Sequence, residues 1–382
     1  MNQRFYSLDV FRGATVALMI LVNNPGSWSH IFAPLQHAGW HGCTPTDLVF
    51  PFFLFAVGNA LAFVMPKLEE KNIFWQKVLK RSFLIFLIGL FLNWFPFIKY
   101  NEAGELVAKP WETVRIFGVL QRIAICYLFS AIIIHFLKLR GALVATVFLL
   151  LFYLLICIVA NPADPFSLQG WFGTRVDIWI LGDNHLYHGE GRTFDPEAIM
   201  SSFAAVAQVL LGYFAGHYIL TKGKTPQMLN GLFVAGAAFI FAGFLWDLVF
   251  PINKKIWTSS YTIYTTGLAL TVLSVLIYTI EFKNWRGGWS KFFDVFGKNA
   301  LFIFALSGIL PRLLALVRIN HGFTDQGKQQ FLTPFGWFYE YACKPFFKND
   351  PRIGSLIYAL LFIAMMWFLA WLLDKKRIYI KV

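Results

Sequence analysis

The sequence predicts an all-α, polytopic integral membrane helical bundle of about ten transmembrane helices, and three observations carry that reading. Hydrophobic residues fill 58% of the 382 positions and only 14% are charged, against about a quarter charged in soluble domains. Apolar runs of roughly 18 to 23 residues recur along the whole chain, enough to cross a ~30 Å hydrocarbon core at 1.5 Å per residue. The runs are rich in Leu, Phe and Ile and are separated by polar turns rather than by ten-residue alternating strands, which favours helices over a barrel. No stretch is left for a separate soluble domain, so residues 1–382 read as a single transmembrane domain.

The ten expected spans are Leu8–Asn24, Leu48–Met65, Phe83–Ile98, Ile116–Leu137, Ala142–Ala160, Ala198–Leu220, Leu229–Phe250, Tyr261–Ile280, Phe293–Leu316 and Ser355–Leu373. The first contains Asp9 and Arg12, follows Arg4 and ends without a small-residue cleavage site, so it reads as retained and not as a signal peptide. Lys and Arg are roughly three times denser per residue in the short connections, among them Lys67, Lys71, Lys77, Lys80, Arg81, Lys138, Arg140 and the tail Lys375, Lys376 and Arg377. That asymmetry predicts a multi-pass protein of the bacterial inner (cytoplasmic) membrane with both termini cytoplasmic. The formal charge of +13 is then an inner-face signal that attracts anionic membrane lipid, and it gives no reason to invoke nucleic acid, whose binding would want the cations gathered on one module.

The outer connections include three long ones, 25–47, 161–197 and 317–354, and loops of more than about 12 to 15 residues are usually functional. The outer face is thus the expected working face. Cys126 and Cys157 lie inside spans, whereas Cys43 and Cys343 fall in outer loops and could pair, although spacing does not establish proximity. DLVFP occurs at 47–51 and again at 247–251, but one copy opens a span and the other closes one, so it does not mark an inverted repeat. No small-xxx-small pattern settles whether the chain forms a homodimer.

Polar chemistry is densest in the first 60 residues: SLDVFRG at 7–13, VNNPG at 22–26, QHAGWHG at 36–42 and TPTDLVFPFFLF at 44–55. Asp9 and Arg12 share one helix face, as an anchoring ion pair or as the lining of a cofactor entrance. Asn23 and Asn24 close the first span and Asp47 opens the second, where Thr44 or Thr46 ahead of Asp47 also has the form of a helix cap. Between them stand His37, Trp40 and His41. Histidines four apart could share a helix face and a zinc ion, but no H-E-x-x-H pattern accompanies them and Gly39 and Gly42 weaken a helix, so no metal is expected. In a short aromatic loop pinned between two spans, an imidazole reads as a general base.

Farther along, GVLQRIAICY at 118–127 buries Gln121 and Arg122, and an unpaired Arg in a span needs an acid, a phosphate or a watery cavity. FDPEA at 194–198 reads as a helix start with Asp195 as the cap. PINKKIWTSS at 251–260 sets Lys254, Lys255 and Trp257 at an outer helix end, in a form suited to phosphate or sugar contacts. FGKNALFIFALS at 296–307 puts Lys298 and Asn299 at an inner edge, where snorkelling is the simpler reading. No G-x-S-x-G elbow, P-loop or G-x-G-x-x-G follows a strand, which excludes the hydrolase, NTPase and Rossmann classes.

In this order, these segments resemble the heparan-alpha-glucosaminide N-acetyltransferase family in its bacterial form, and the likeness covers nearly the whole chain. The resemblance implies a single transmembrane acyltransferase domain over 1–382 that takes acetyl from acetyl-CoA and places it on the amino group of a glucosamine-type sugar or glycan across a membrane. It also implies that His37, in the HAxW string, is the catalytic histidine, that Asn23 is its nearby asparagine, and that the protein is a possible homodimer.

The residues fit that chemistry on their own terms. A thioester needs no metal to react with an amine; it needs a base, juxtaposition and a donor for the carbonyl oxygen. His37 can take the proton, Asn23 can face the developing oxyanion and Asp47 can hold the imidazole tautomer. Direct transfer and an acetyl-imidazole intermediate both remain open. Trp40, His41 and Asn24 are expected to meet the acceptor. Arg122, Lys254, Lys298, Trp257 and Asn299 are expected around the coenzyme, with Arg115 and Lys255 behind them. These fall on both sides of the bilayer, so a ligand threading the bundle would use only some. An O-acyltransferase of related architecture, or an amino-sugar transporter or flippase, are the rival readings.

Overall fold

Apolar runs form twelve α-helices in this computed structural model, which describes residues 5–101, 103–323 and 329–380. They are α1 (Tyr6–Asn23), α2 (Val49–Val64), α3 (Lys71–Trp94), α4 (Val119–Ala160), α5 (Gly173–Leu181), α6 (Ser202–Lys222), α7 (Pro226–Asp247), α8 (Ser259–Ile277), α9 (Gly288–Lys298), α10 (Ala300–Leu314), α11 (Pro334–Phe338) and α12 (Pro351–Lys375). Two antiparallel hairpins accompany them, β1 (Ile98–Tyr100) with β2 (Leu106–Ala108) and β3 (Ile319–Phe323) with β4 (Gln329–Leu332). Starts follow capping chemistry: Thr225 accepts Met228 N ahead of Pro226, Thr258 accepts Tyr261 N, and Asp350 accepts Arg352 N ahead of Pro351.

Among the described residues, seven helices are individually long and apolar enough to cross a membrane, and α9 with α10 makes an eighth when taken as one bent span. The two remaining predicted spans fall on α3 and on the second half of α4. The charged first turns of α3 mask its apolar second half. α4, at 42 residues, breaks at Lys138 (φ 56, ψ −169). A straight helix would separate residues 122 and 153 by about 46 Å. Instead, Arg122 stacks on Trp257 and Tyr153 donates to Ile256 O at 2.5 Å, so the chain turns back at Lys138, between the fourth and fifth expected spans.

The connections sort onto two faces. On one, the long loops bond to one another: Gly42 N donates to Ile252 O, Trp40 Nε1 to Phe166 O, Ile116 N to His185 O, and Gly26 N to Ser355 O. This loop face carries Asn23, His37 and Asp47. On the opposite face Ser7 N donates to Glu281, Lys224 pairs with Glu281, and Lys298 pairs with Asp374.

Close helix contacts depend on missing side chains. A Cβ at Gly58 of α2 would stand 1.8 Å from Val209 O of α6, and one at Gly13 of α1 would stand 1.7 Å from Phe293 O of α9. Small residues of this kind let helix backbones touch where water supplies no hydrophobic drive.

Three details differ from expectation. The span expected at Phe293–Leu316 is broken, with α9 and α10 meeting at an 80° bend. At that bend Asn299 donates through Nδ2 to Ile378 O (3.1 Å) and accepts Ile380 N at Oδ1 (2.8 Å), which ties the C-terminal segment to the break. FDPEA does not start a helix; α6 begins at Ser202, because the carboxylates of Asp195 and Glu197 are taken by Arg115. Cys43 and Cys343 do not pair, and all four cysteines are free thiols.

Candidate active site

The loop between α1 and α2 folds around one carboxylate. Pro45 starts a short 3-10 turn with Thr44 as its cap, and Asp47 at its third position closes a capping box. Asp47 Oδ2 accepts Ala38 N, Thr44 N and Thr44 Oγ1, each at 3.0 Å. Its other oxygen, Oδ1, lies 2.6 Å from His37 Nδ1. The side chain is 1% exposed and that of His37 42%. Capping and orientation of the histidine, alternatives in the sequence, are thus both performed by Asp47, one oxygen each. A carboxylate only accepts, so Nδ1 carries a proton, and in the neutral ring Nε2 is the nitrogen with the lone pair.

A second segment reaches the same ring. The turn 252–258 is pinned by Asn253, fully buried, whose Oδ1 accepts Ile256 N and whose backbone N donates to Thr258 Oγ1. Trp257 holds φ at +51° there, buried against Phe50, Tyr261 and Arg122. This turn delivers Lys254 Nζ to 3.0 Å from His37 Nδ1, 3.4 Å from Nε2 and 3.5 Å from Asp47 Oδ1. Burial holds the Lys254 ammonium below the usual lysine range, opposed by Asp47 and Glu197. Tyr261 anchors the floor by donating to Asp47 O at 2.5 Å.

The neighbouring loop residues separate by role. His41 turns away from His37, its Nδ1 accepting from Asn253 Nδ2 at 3.4 Å, and burial lowers its pKa. Trp40 packs edge-on to Phe194, beneath the Lys255–Glu190 pair. Burial beside Asp47 pushes the Cys43 thiol up to about 12, so it stands protonated and is no nucleophile at neutral pH.

Asn23 and Asn24 lie on the wall of a cavity of about 450 Å³, with Asn93, Arg115, Gln121, Ser307 and Arg312 among the other lining groups. Asn24 donates to Ile20 O, while Gln121, 1% exposed, leaves Nε2 without a protein partner. Arg115 is clamped by Asp195 (2.8 and 2.6 Å) and Glu197 (2.5 Å). Against the burial that would lower its pKa, these two acids raise it. For Glu197, burial pushes up, but Arg115 and Arg122 bring the carboxyl below its usual range.

A second cavity of about 290 Å³ opens toward the opposite face, lined by Arg12, Arg81, Lys298 and Ile380 at its mouth and by Phe53, Ile85, Ile123 and Leu301 deeper in. The two cavities lie one helical turn apart on the same three helices: Ile85 and Gly89 on α3, Ile123 and Leu120 on α4, Leu301 and Phe304 on α10. Arg12 and Asn23 are about 16 Å apart along α1 at 1.5 Å rise per residue.

The structure thus brings His37, Asp47 and Lys254 together, and gathers Asn23 and Asn24 on the cavity wall. It does not bring the expected coenzyme residues to one place. Lys254 and Trp257 are at the loop face, while Lys298 and Asn299 are at the opposite face. Arg122 is fully buried, held by Ala198 O and Ser201 beneath Trp257. Asn93 and Arg312 are not singled out by sequence reasoning, though the signal that flags Gln121, a lone polar residue within an apolar helix, applies to each, and Arg81 is named there only among the inner-face cations.

Residues 4–244 match the family profile described as heparan-alpha-glucosaminide N-acetyltransferase, catalytic. The heparan-alpha-glucosaminide N-acetyltransferases of Homo sapiens and Mus musculus are each 26% identical over 362 residues, covering 79% of this chain and 52% and 53% of their own lengths. The chain spans about half the length of these curated relatives. With its profile match running over more than half of its residues, the chain belongs to the heparan-alpha-glucosaminide N-acetyltransferase catalytic family.

Proposed function

We propose that this protein is a transmembrane N-acetyltransferase that moves acetyl from acetyl-CoA to the amino group of a glucosamine-type sugar or glycan, with His37 as general base. The observation that carries the reading is the His37–Asp47 pair, in which a buried carboxylate orients a partly exposed imidazole. Family membership supports the acyl-transfer class.

The cavities support the donor. Arg12, Arg81 and Lys298 surround the mouth at the opposite face, which suits the phosphates of acetyl-CoA. Arg81 stacks on Tyr127 and leaves Nε without a protein partner. The apolar neck beyond suits the pantetheine arm, whose amides could meet Gln121 Nε2. The thioester would then emerge near Asn23 and the loop face, where the acceptor meets it. In this arrangement Lys298 serves the nucleotide end, Asn299 and Arg122 act through the fold, and Trp40, His41 and Asn24 frame the acceptor. The acceptor nitrogen attacks the carbonyl carbon, its proton passes to His37 Nε2, and the C–S bond breaks to release CoA thiolate, which takes that proton. Asp47 keeps the ring in the tautomer that can accept it.

Lys and Arg density supports an inner-membrane protein with both termini cytoplasmic, which makes the loop face extracytoplasmic. Purified protein incubated with labelled acetyl-CoA and glucosamine tests the function. Label on nitrogen is expected; label on a hydroxyl would indicate an O-acyltransferase, and bound but unmodified sugar a transporter. A burst of free CoA before any amine is added would favour acetyl-imidazole over direct transfer.

A further inference from the structure

We propose that Lys254 is a catalytic residue: its ammonium donates to the carbonyl oxygen of the thioester as that oxygen gains charge. The inference rests on the acyl-transfer reading above. Lys254 was expected, from the sequence, to hold a coenzyme phosphate. Its geometry points elsewhere. Nζ stands 3.0 Å from Nδ1 and 3.4 Å from Nε2, so it lies beside the ring and along neither nitrogen's in-plane lone-pair direction. Nδ1–H is already donated to Asp47, so the ring offers the ammonium no good acceptor there. Its carboxylate contact, Asp47 Oδ1, is at 3.5 Å. Among the described residues it is the cation placed within hydrogen-bonding distance of the base.

The phosphate-binding alternative fits poorly. The cations at the mouth of the crevice stand on the opposite face, about 16 Å of helix rise away from the loop face. A phosphate held at Lys254 would put the nucleotide on top of the base and leave the thioester elsewhere. The turn also looks built for precision at this position. Asn253, Thr258 and the Gly42 N–Ile252 O bond fix its backbone to the histidine loop itself, so ammonium and imidazole are held by one unit, as a preorganised oxyanion donor requires.

The step balances without further reagents. As the acceptor nitrogen bonds to the carbonyl carbon, the π pair moves onto oxygen and Lys254 N–H donates to that oxyanion. When C=O re-forms, the pair in the C–S bond leaves with sulfur, the amine proton rests on His37 Nε2 and then passes to the thiolate, and Lys254 ends as it began. Asn23, on the wall of the cavity that Gln121 and Arg115 also line, is left to orient substrate.

The test compares wild type, Lys254→Met and Lys254→Arg with two donors, acetyl-CoA and S-acetylpantetheine, which lacks the nucleotide phosphates. Lys254→Met is expected to lower kcat about 10²- to 10³-fold with both donors and leave KM for acetyl-CoA within about threefold, while Lys254→Arg recovers part of kcat. A rise in KM confined to acetyl-CoA, absent with S-acetylpantetheine, would make Lys254 a phosphate anchor and overturn the proposal. Slow hydrolysis of either thioester passes through the same oxyanion and needs no sugar. An undiminished hydrolysis rate in Lys254→Met therefore overturns the proposal whatever the acceptor. Wild type that cleaves the thioester but does not acetylate glucosamine would instead sink the acceptor reading alone.

Discussion

His37 Nδ1 and Asp47 Oδ1 stand 2.6 Å apart across a ten-residue loop, and the same carboxylate closes the capping box that starts the second transmembrane helix. Orientation of the imidazole and helix initiation are therefore coupled through one side chain. Asp47→Asn is expected to retain part of the cap but lose the fixed tautomer. It should lower kcat about 10²-fold or more, with a stability loss of about 1 kcal/mol. Measuring turnover and thermal unfolding on the same detergent-solubilised sample separates the two. A large loss of stability with unchanged turnover per folded molecule would mean that Asp47 only caps.

The clamp of Asp195 and Glu197 on Arg115 holds the 161–201 loop to the cavity wall. Arg115→Met strands a fully buried Asp195 and its neighbour, so a loss on the order of 3 kcal/mol is expected. Limited proteolysis should cut the 161–201 loop faster in the variant than in wild type, and equal rates would show the clamp to be dispensable.

Asp177 gives the fold a pH signature. Burial raises its carboxyl to about 7, with Asp195 adding to the rise and Met200 N and Ile199 N opposing it. In the unfolded chain the group ionises near its ordinary value of about 3.9. Below that pH both states are protonated and the group costs nothing. As pH rises toward 7 the unfolded state sheds its proton first, so stability falls, and above about 7 the penalty is complete. Asp177→Asn should thus raise the unfolding temperature at pH 8 and leave it nearly unchanged at pH 4. Stabilisation of the same size at both would point to packing and not to charge.

Gly89 lines the first cavity one helical turn from Ile85 of the second, where the proposed coenzyme path would pass. A Cβ at Gly89 would stand 2.5 Å from Gln121 Oε1 and 2.9 Å from Leu120 Cβ. Gly89→Leu is expected to wedge α3 against α4 at a cost of about 1–3 kcal/mol. The apparent KM for acetyl-CoA should rise about tenfold, while S-acetyl-N-acetylcysteamine, too short to need the crevice, is affected far less. Equal effects on both donors would argue against threading.

The bundle was legible because hydrocarbon imposes long apolar runs. Even the reversal at Lys138 falls between two expected spans. The break at Asn299 was not legible, since it depends on hydrogen bonds to Ile378 and Ile380, some 80 positions away. FDPEA misled for a related reason: Asp195 has the composition of a cap, but the guanidinium that claims it sits 80 residues earlier. In the site, His37 and Asp47 could be singled out because they share one short loop. Lys254, 217 residues from His37, could be recognised as a cation of interest, but not as a neighbour of the base. Local chemistry shows in the sequence, whereas contacts between distant segments are set by tertiary packing.

The most direct test removes the imidazole. Purified His37→Ala and His41→Ala are compared with wild type for binding of acetyl-CoA and for transfer of labelled acetyl to glucosamine. The expected result is that His37→Ala folds and binds acetyl-CoA as wild type does but loses transfer by about 10³-fold or more, while His41→Ala is milder. Transfer by His37→Ala at the wild-type rate would contradict the account.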